Sequence, residues 1–131
     1  MNRATVKKHI SHTLMCFLIV GCHTQQTTTG FIVDDNLDLG SVSVGDTVNF
    51  TVGIKNPTDE AVKIVDIRGT CGCVKVKSYP STLKALQNGT INATYYSLLE
   101  RKSAGVVTKA LVLRLDKEPF IHSANLKVTV R

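Results

Sequence analysis

The chain contains no tryptophan, and only 5% of its residues are aromatic. Both methionines, Met1 and Met15, fall within the first fifteen residues, and no acidic side chain occurs before Asp34. No apolar run reaches the ~18 residues that a membrane-spanning helix needs. These absences exclude specific classes of protein. An antibody-type domain needs a buried tryptophan between cysteines on two sheets. A phosphate-binding loop, a nucleophile elbow and a metal-ligand cluster each have a sequence signature, and none is present. What is present is an ordinary apolar fraction, 43%, and 20% charged residues in 131 positions. That composition fits one folded domain with a tail.

The net charge of +6 hints at nucleic acid, but part of it lies in the N-terminus. Residues 1–22 read MNRATVKKHISHTLMCFLIVGC, with Arg3, Lys7 and Lys8 ahead of a short apolar stretch at residues 14–20. This is the layout of a secretory signal. Ile19-Val20-Gly21-Cys22 resembles the lipobox of bacterial lipoproteins. The resemblance implies cleavage before Cys22, a diacylglyceryl group on its sulfur and usually an acyl chain on its new amine. Residues 1–21 are then a signal peptide, residues 22–30 a polar, flexible lipid-anchored tether, and residues 31–131 the domain. Loss of three cations from sixteen leaves thirteen against ten acids, a net of +3. The remaining Lys and Arg are spread out and not interleaved with aromatics, so no nucleic-acid partner is expected. The run Lys75, Lys77 and Lys84 reads as a solvated edge. No Asp follows Cys22, and by resemblance to lipoprotein sorting rules this implies an outer membrane and its periplasmic side.

The same cut simplifies the cysteines. Cys16 leaves with the signal and Cys22 carries lipid, so Cys71 and Cys73 in IRGTCGCVKV (residues 67–76) are the remaining pair. They would lie in a compartment where disulfides persist. In a strand their side chains share one face, with Cα atoms about 6.7 Å apart. That is near the upper limit for a disulfide; Gly72 lets the chain bend to shorten it, and Gly69 adds freedom just upstream. The ring so closed is tiny and restricts the unfolded chain little. Three readings stay open. The pair is a local disulfide or two buried small side chains shaping a turn. It is a two-sulfur metal site for Cu(I), with His122 the only histidine left in the domain. Or it is a redox dithiol, with Arg68 and Lys75 near enough in sequence to assist a thiolate.

From Gly30 onward the hydrophobic period is two. Val48, Phe50, Val52 and Ile54 alternate with polar residues, and residues 56–59 supply a turn. Val62, Ile64, Val65 and Ile67 form the next run, whose adjacent apolar pair predicts a bulge or a strand buried on both faces. An Asn88-Gly89 turn leads into Ile91, Ala93 and Tyr95. Leu111, Leu113 and Leu115 share a face, a turn follows at residues 116–119, and Ala124, Leu126, Val128 and Val130 close the chain. Short strands are expected at residues 31–34 and 73–76. The prediction is an all-β, antiparallel immunoglobulin-like β-sandwich of about seven strands.

Leu37-Asp38-Leu39-Gly40, the Gly45-Asp46 turn, the strand ending in Asn56 and Cys71-Gly72-Cys73 together resemble a family of exported bacterial domains of unknown function. That family is similar to immunoglobulin-like domains of the major-sperm-protein and ciliary type and is often lipid-anchored. The match covers most of residues 31–131 and is strongest through Val76. Its usual Pro-Gly turn is Asn88-Gly89 here, and its closing turn is replaced by residues 116–119. The resemblance implies a fold and an anchor but lends no activity.

Among weaker signals, Asp34-Asp35 reads as a turn rather than a catalytic pair, and His122 as solvent-facing. The triplets starting at Asn49, Asn88 and Asn92 match a glycosylation pattern by accident of composition. The expected function is a lipid-anchored cell-envelope binding or structural module, not an enzyme and without cofactor. Its expected partners are a membrane, through Cys22, and a protein of the envelope. The alternative is a Cys71/Cys73 thiol site for Cu(I) binding or thiol–disulfide exchange.

Overall fold

Alternating apolar residues can bury one face of a strand only if a second sheet covers it. The computed structural model, which describes residues 30–99 and 104–131, solves this with two packed sheets. The signal, Cys22 and nearly all of the tether lie outside the described residues. The strands are β1 (Ile32–Val33), β2 (Leu37–Val42), β3 (Thr47–Lys55), β4 (Val62–Gly69), β5 (Val74–Ser78), β6 (Thr82–Leu83), β7 (Asn88–Tyr96), β8 (Gly105–Leu115) and β9 (Ile121–Val130). One sheet runs β1-β3-β7-β5 and the other β2-β9-β8-β4-β6. Between them lie Phe50 and Val52 of β3, Ile91 and Tyr95 of β7, Leu111 and Leu113 of β8, and Leu126 and Val128 of β9. All these residues are buried. The chain is therefore an immunoglobulin-like β-sandwich.

The first strand changes sheets, and the two acids at the change hold it. The Asp34 N–H donates to the Gly53 carbonyl at 2.9 Å, and its carboxylate accepts the Gly53 N–H at 3.1 Å. Any Cβ on Gly53 would collide with that carboxylate. One residue later, Asp35 Oδ1 accepts the N–H groups of Asn36 and of Asn125 in β9, each at 2.7 Å. Asn36 turns the chain with a φ of 58°, an angle that Asn tolerates better than most residues. Asp34 is thus tied to one sheet and Asp35 to the other.

Several expectations change. β2 was not foreseen as a strand, and it pairs with β9 in parallel, the exception in an otherwise antiparallel arrangement. The bulge does fall at the Ile64-Val65 pair, between Ile64 and Asp66. Asn88-Gly89 is strand, not turn. Gly89 lies under Leu83 and Pro80, where a Cβ would meet their side chains at 2.9 and 3.1 Å. The turn falls earlier, where the Gln87 N–H donates to the Lys84 carbonyl at 3.2 Å. Cys73 lies in a turn before β5 rather than in the strand.

Candidate functional site: the Cys71–Cys73 turn and the open edge of β3

β4 ends against β8, with Gly69 opposite Leu111. Thr70 ties off that end: its N–H donates to the Ala110 carbonyl at 2.9 Å, and its Oγ1 accepts the Ala110 N–H at 3.0 Å. Cys71-Gly72-Cys73 then carries the chain to the other sheet. The Val74 N–H donates to the Cys71 carbonyl at 3.3 Å, and the Tyr96 N–H to the Cys73 carbonyl at 2.8 Å. The two sulfurs form a disulfide, with Cα atoms 5.2 Å apart, inside the usual range. Cys71 is half-buried and Cys73 is buried in the core.

Of the two glycines that the sequence offers for the bend, Gly72 is unconfined, since a Cβ there would meet open space. The constrained glycine is Gly69, where a Cβ would lie 2.5 Å from the Val74 carbonyl oxygen and 2.8 Å from the Val74 Cβ. Only hydrogen lets β4 and the start of β5 approach so closely.

As a disulfide the pair presents no thiolate, so metal binding or reductive chemistry requires prior reduction. Among the described residues, no group of three or more His, Cys, Asp or Glu side chains is placed to hold a metal ion. The two cations singled out as helpers are engaged. Arg68 is ion-paired with Asp66, and Lys75 Nζ lies 5.5 Å from the centroid of the Tyr96 ring. His122 does not face solvent freely. Its ring stacks at a tilt on Phe31, centroids 5.5 Å apart, and its Nε2 is buried without a hydrogen-bond partner. Burial pushes its pKa below the usual value for histidine, opposed by a hydrogen bond with the Pro119 backbone.

The sheet edges differ in how they are guarded. β5 carries Lys75 and Lys77, and Lys77 Nζ donates to the Tyr96 hydroxyl at 3.1 Å. β6 has two residues, and β4 is bulged at Val65. β2 is irregular between Asp38 and Ser41. Lysines, bulges and short strands all discourage pairing with another chain. β3 is different. β1 covers only Ile54 and Lys55, and Asp34 covers Gly53, so among the described residues no strand is paired alongside residues 47–52 on that side. Hydrogen-bonding direction alternates along a strand, so Thr47, Asn49 and Thr51 present their backbone groups outward as Gly53 does. Nothing in composition or period marks this edge, because it depends on where β1 leaves the sheet. Asn49 and Asn92, of the glycosylation-like triplets, join cross-strand side-chain bonds with Thr94 and Ser78 at 2.8 and 2.9 Å.

Two packed sheets and a first strand that passes from one to the other define an immunoglobulin-like β-sandwich domain. Residues 32–130 match the family described as "Protein of unknown function (DUF1573)", and the chain belongs to that family. No curated protein matches the chain. Among solved structures, a PapD-like (ASH) domain of human CEP192 is similar over 99% of this chain and 96% of its own, with 10% identity and a TM-score of 0.56. The E. coli chaperone DraB is similar over 78% of this chain and 54% of its own, with 11% identity and a TM-score of 0.53. The secreted serine protease VesC from Vibrio cholerae is similar over 77% of this chain, with 11% identity and a TM-score of 0.62. This chain spans only 23% of VesC. At such identities these likenesses concern the fold alone.

Proposed function

We propose that this chain is a non-catalytic binding or structural module of the bacterial cell envelope. It is held to a membrane by lipid on Cys22, on the periplasmic side of an outer membrane, and takes a protein partner by strand addition. The observation that carries this reading is the edge of β3 over residues 47–52, which no strand covers among the described residues. An extended segment laid there satisfies the outward backbone groups of Thr47, Asn49 and Thr51 and extends a sheet whose inner face is already buried. The fold shared with the chaperone DraB supports the same reading.

The test places a photo-crosslinking amino acid at Thr51, and separately at Asn49, in the full chain in cells, with Thr90 on the sheet face as control. Thr51→Pro removes one outward N–H without touching the β7 ladder. A discrete adduct from position 51, absent from position 90 and lost from position 49 when Thr51→Pro is added, supports strand addition. Equal adducts from 51 and 90, or insensitivity to the proline, refute it.

The Cys71–Cys73 bridge supports a second reading, because its ring is small and the turn is already held by backbone hydrogen bonds. In that reading a partner dithiol reduces the bridge. One partner thiolate attacks a bridge sulfur, giving a mixed disulfide and a free cysteine. The second partner thiol then resolves it, so that two electrons and two protons pass to Cys71 and Cys73 and the partner becomes a disulfide. The reduced pair would then be the Cu(I) ligand. Intact mass after alkylation, before and after reduction and with one equivalent of Cu(I), separates these cases. A bridge that reforms without exchange, and a reduced pair that retains no copper, leave the binding module standing alone.

A further inference from the structure

Gly30, where the tether joins the domain, enters the sandwich against the turn between β8 and β9, and a Cβ on it would lie 3.3 Å from Pro119 Cδ. Phe31 is buried immediately after it, so the point of entry is anchored in the core. Two other turns share this end, because the Leu86 N–H donates to the Thr58 carbonyl at 3.0 Å, and Thr58 lines the same hollow as Gly30, Phe31 and Glu118. This end exposes apolar tips. Leu86 is 70% exposed and Phe120 50%. Leu86 also has a φ of 58°, an angle that leucine rarely adopts. An exposed leucine held in a costly backbone conformation at a turn tip is a reason to look for a ligand. Charge at this end nearly cancels: Lys84 and Lys117 stand against Asp59, Glu60 and Glu118, with Lys117 bound to Glu60.

We propose that this end of the domain lies on the membrane, with Leu86 and Phe120 entering the interfacial layer of a zwitterionic phospholipid bilayer. The inference rests on the reading of Cys22 as the lipid-bearing residue. Eight residues, 22–29, separate that lipid from Gly30, and they span at most about 28 Å in any conformation. The ten residues of β9, Ile121–Val130, run about 33 Å from this end toward the other. The tether is therefore too short to let the far end turn onto the bilayer. That far end also exposes apolar residues, Val44, Leu98, Leu99 and Val106, and carries Cys71-Gly72-Cys73 and the start of the open stretch of β3 at Thr47. It is therefore the length of the tether that separates the two ends. The orientation stands the strands up from the bilayer, so the proposed partner edge faces sideways, with its Thr47 end farthest from the lipid. The near-neutral charge selects a zwitterionic headgroup over a strongly anionic one.

The absence of tryptophan makes the test direct, since each introduced Trp is a single reporter. The full chain, purified with its lipid, is prepared as Leu86→Trp, Phe120→Trp and Val44→Trp and reconstituted on phosphatidylcholine vesicles with or without brominated acyl chains. Flotation and intact mass report the anchor; quenching reports the orientation. The expected result is flotation of all three, with about twofold quenching and a blue shift at positions 86 and 120 and neither at 44. Flotation without quenching at 86 and 120 overturns the orientation and leaves the anchor in place. An unacylated chain that does not float overturns the anchor and the orientation with it. If a Trp variant fails to fold, hydrogen exchange on the unsubstituted lipidated chain decides. Vesicle-dependent protection at residues 84–87 and 117–120 supports the proposal, and unchanged exchange there refutes it.

Discussion

Asn56 offers the sharpest test of how the loops at the tether end are held. It is fully buried, yet its carboxamide is bonded on both sides. Nδ2 donates to the Glu60 carbonyl at 2.7 Å and the Lys84 carbonyl at 2.9 Å, with a longer contact to Leu83 at 3.3 Å. Oδ1 accepts the Thr58 hydroxyl at 2.7 Å and the Thr58 N–H at 3.2 Å. One side chain therefore joins the β3–β4 loop to the β6–β7 loop. Asn56→Ala removes these bonds together. Net hydrogen bonds contribute about 1 kcal/mol each, and a stranded buried group costs about 1–3 kcal/mol. The Glu60 and Thr58 groups are near enough to solvent to recover part of this through water, whereas the Leu83 carbonyl is not. A loss of about 3 kcal/mol is expected, which for a domain of this size lowers Tm by about 12–24 °C. Urea unfolding should show the lower midpoint with an unchanged slope. Asn56→Asp keeps the shape but sets a carboxylate against carbonyl oxygens. It should be at least as damaging at neutral pH and partly recover in acid, where the protonated group donates again. A loss below about 0.5 kcal/mol for Asn56→Ala would refute this account of the loops.

Gly69→Ala forces a Cβ onto the Val74 backbone and should cost about 2–3 kcal/mol by chemical denaturation, whereas Gly72→Ala should cost less than about 1 kcal/mol. Reducing Cys71–Cys73 opens a three-residue ring and should lower stability by about 1.6 kcal/mol or less, with the far-ultraviolet spectrum unchanged. Loss of the fold on reduction would show that the bridge does more than close its turn. The Asp35 carboxyl is held below its ordinary value of 3.8, first by the Asn125 N–H and then by the Asn36 N–H. Its contribution is therefore present above pH 3.8 and fades as pH falls through and below that value, and Asp35→Asn should flatten this part of the acid limb. His122 is shifted the same way by burial, from 6.5. The unfolded chain takes up its proton first, so stability declines as pH drops below 6.5, and His122→Phe should remove that decline when unfolding is followed from pH 8 to 5.

The central strands were legible because each carries its own evidence. In β3, β7, β8 and β9 the inward residues recur every second position, and burial follows that alternation almost without exception. The bulge in β4 was legible in the adjacent pair Ile64-Val65: the strand slips there, leaving Val65 exposed and turning both Ile64 and Ile67 inward. β2 escaped because Leu37 and Leu39 are only half-buried at an edge, its one core residue, Val42, falls outside their alternation, and its partner β9 lies more than eighty residues away. The Cys-Gly-Cys segment was legible as a bridge that shapes a turn, and only Cys73 was assigned one residue too early to the strand that follows. What closes that turn is contact with Val74 at Gly69 and with Ala110 at Thr70, and no local pattern encodes it. Asp34 and Asp35 looked like an ordinary polar turn, yet one is bonded to β3 and the other to β9. The open edge of β3 follows from that crossing. Alternation of side chains determined which face of each strand is buried, because it acts within a few residues. Which edges stay open, and which end meets the tether, were decided only when distant strands came together, because backbone pairing joins residues that sequence keeps apart.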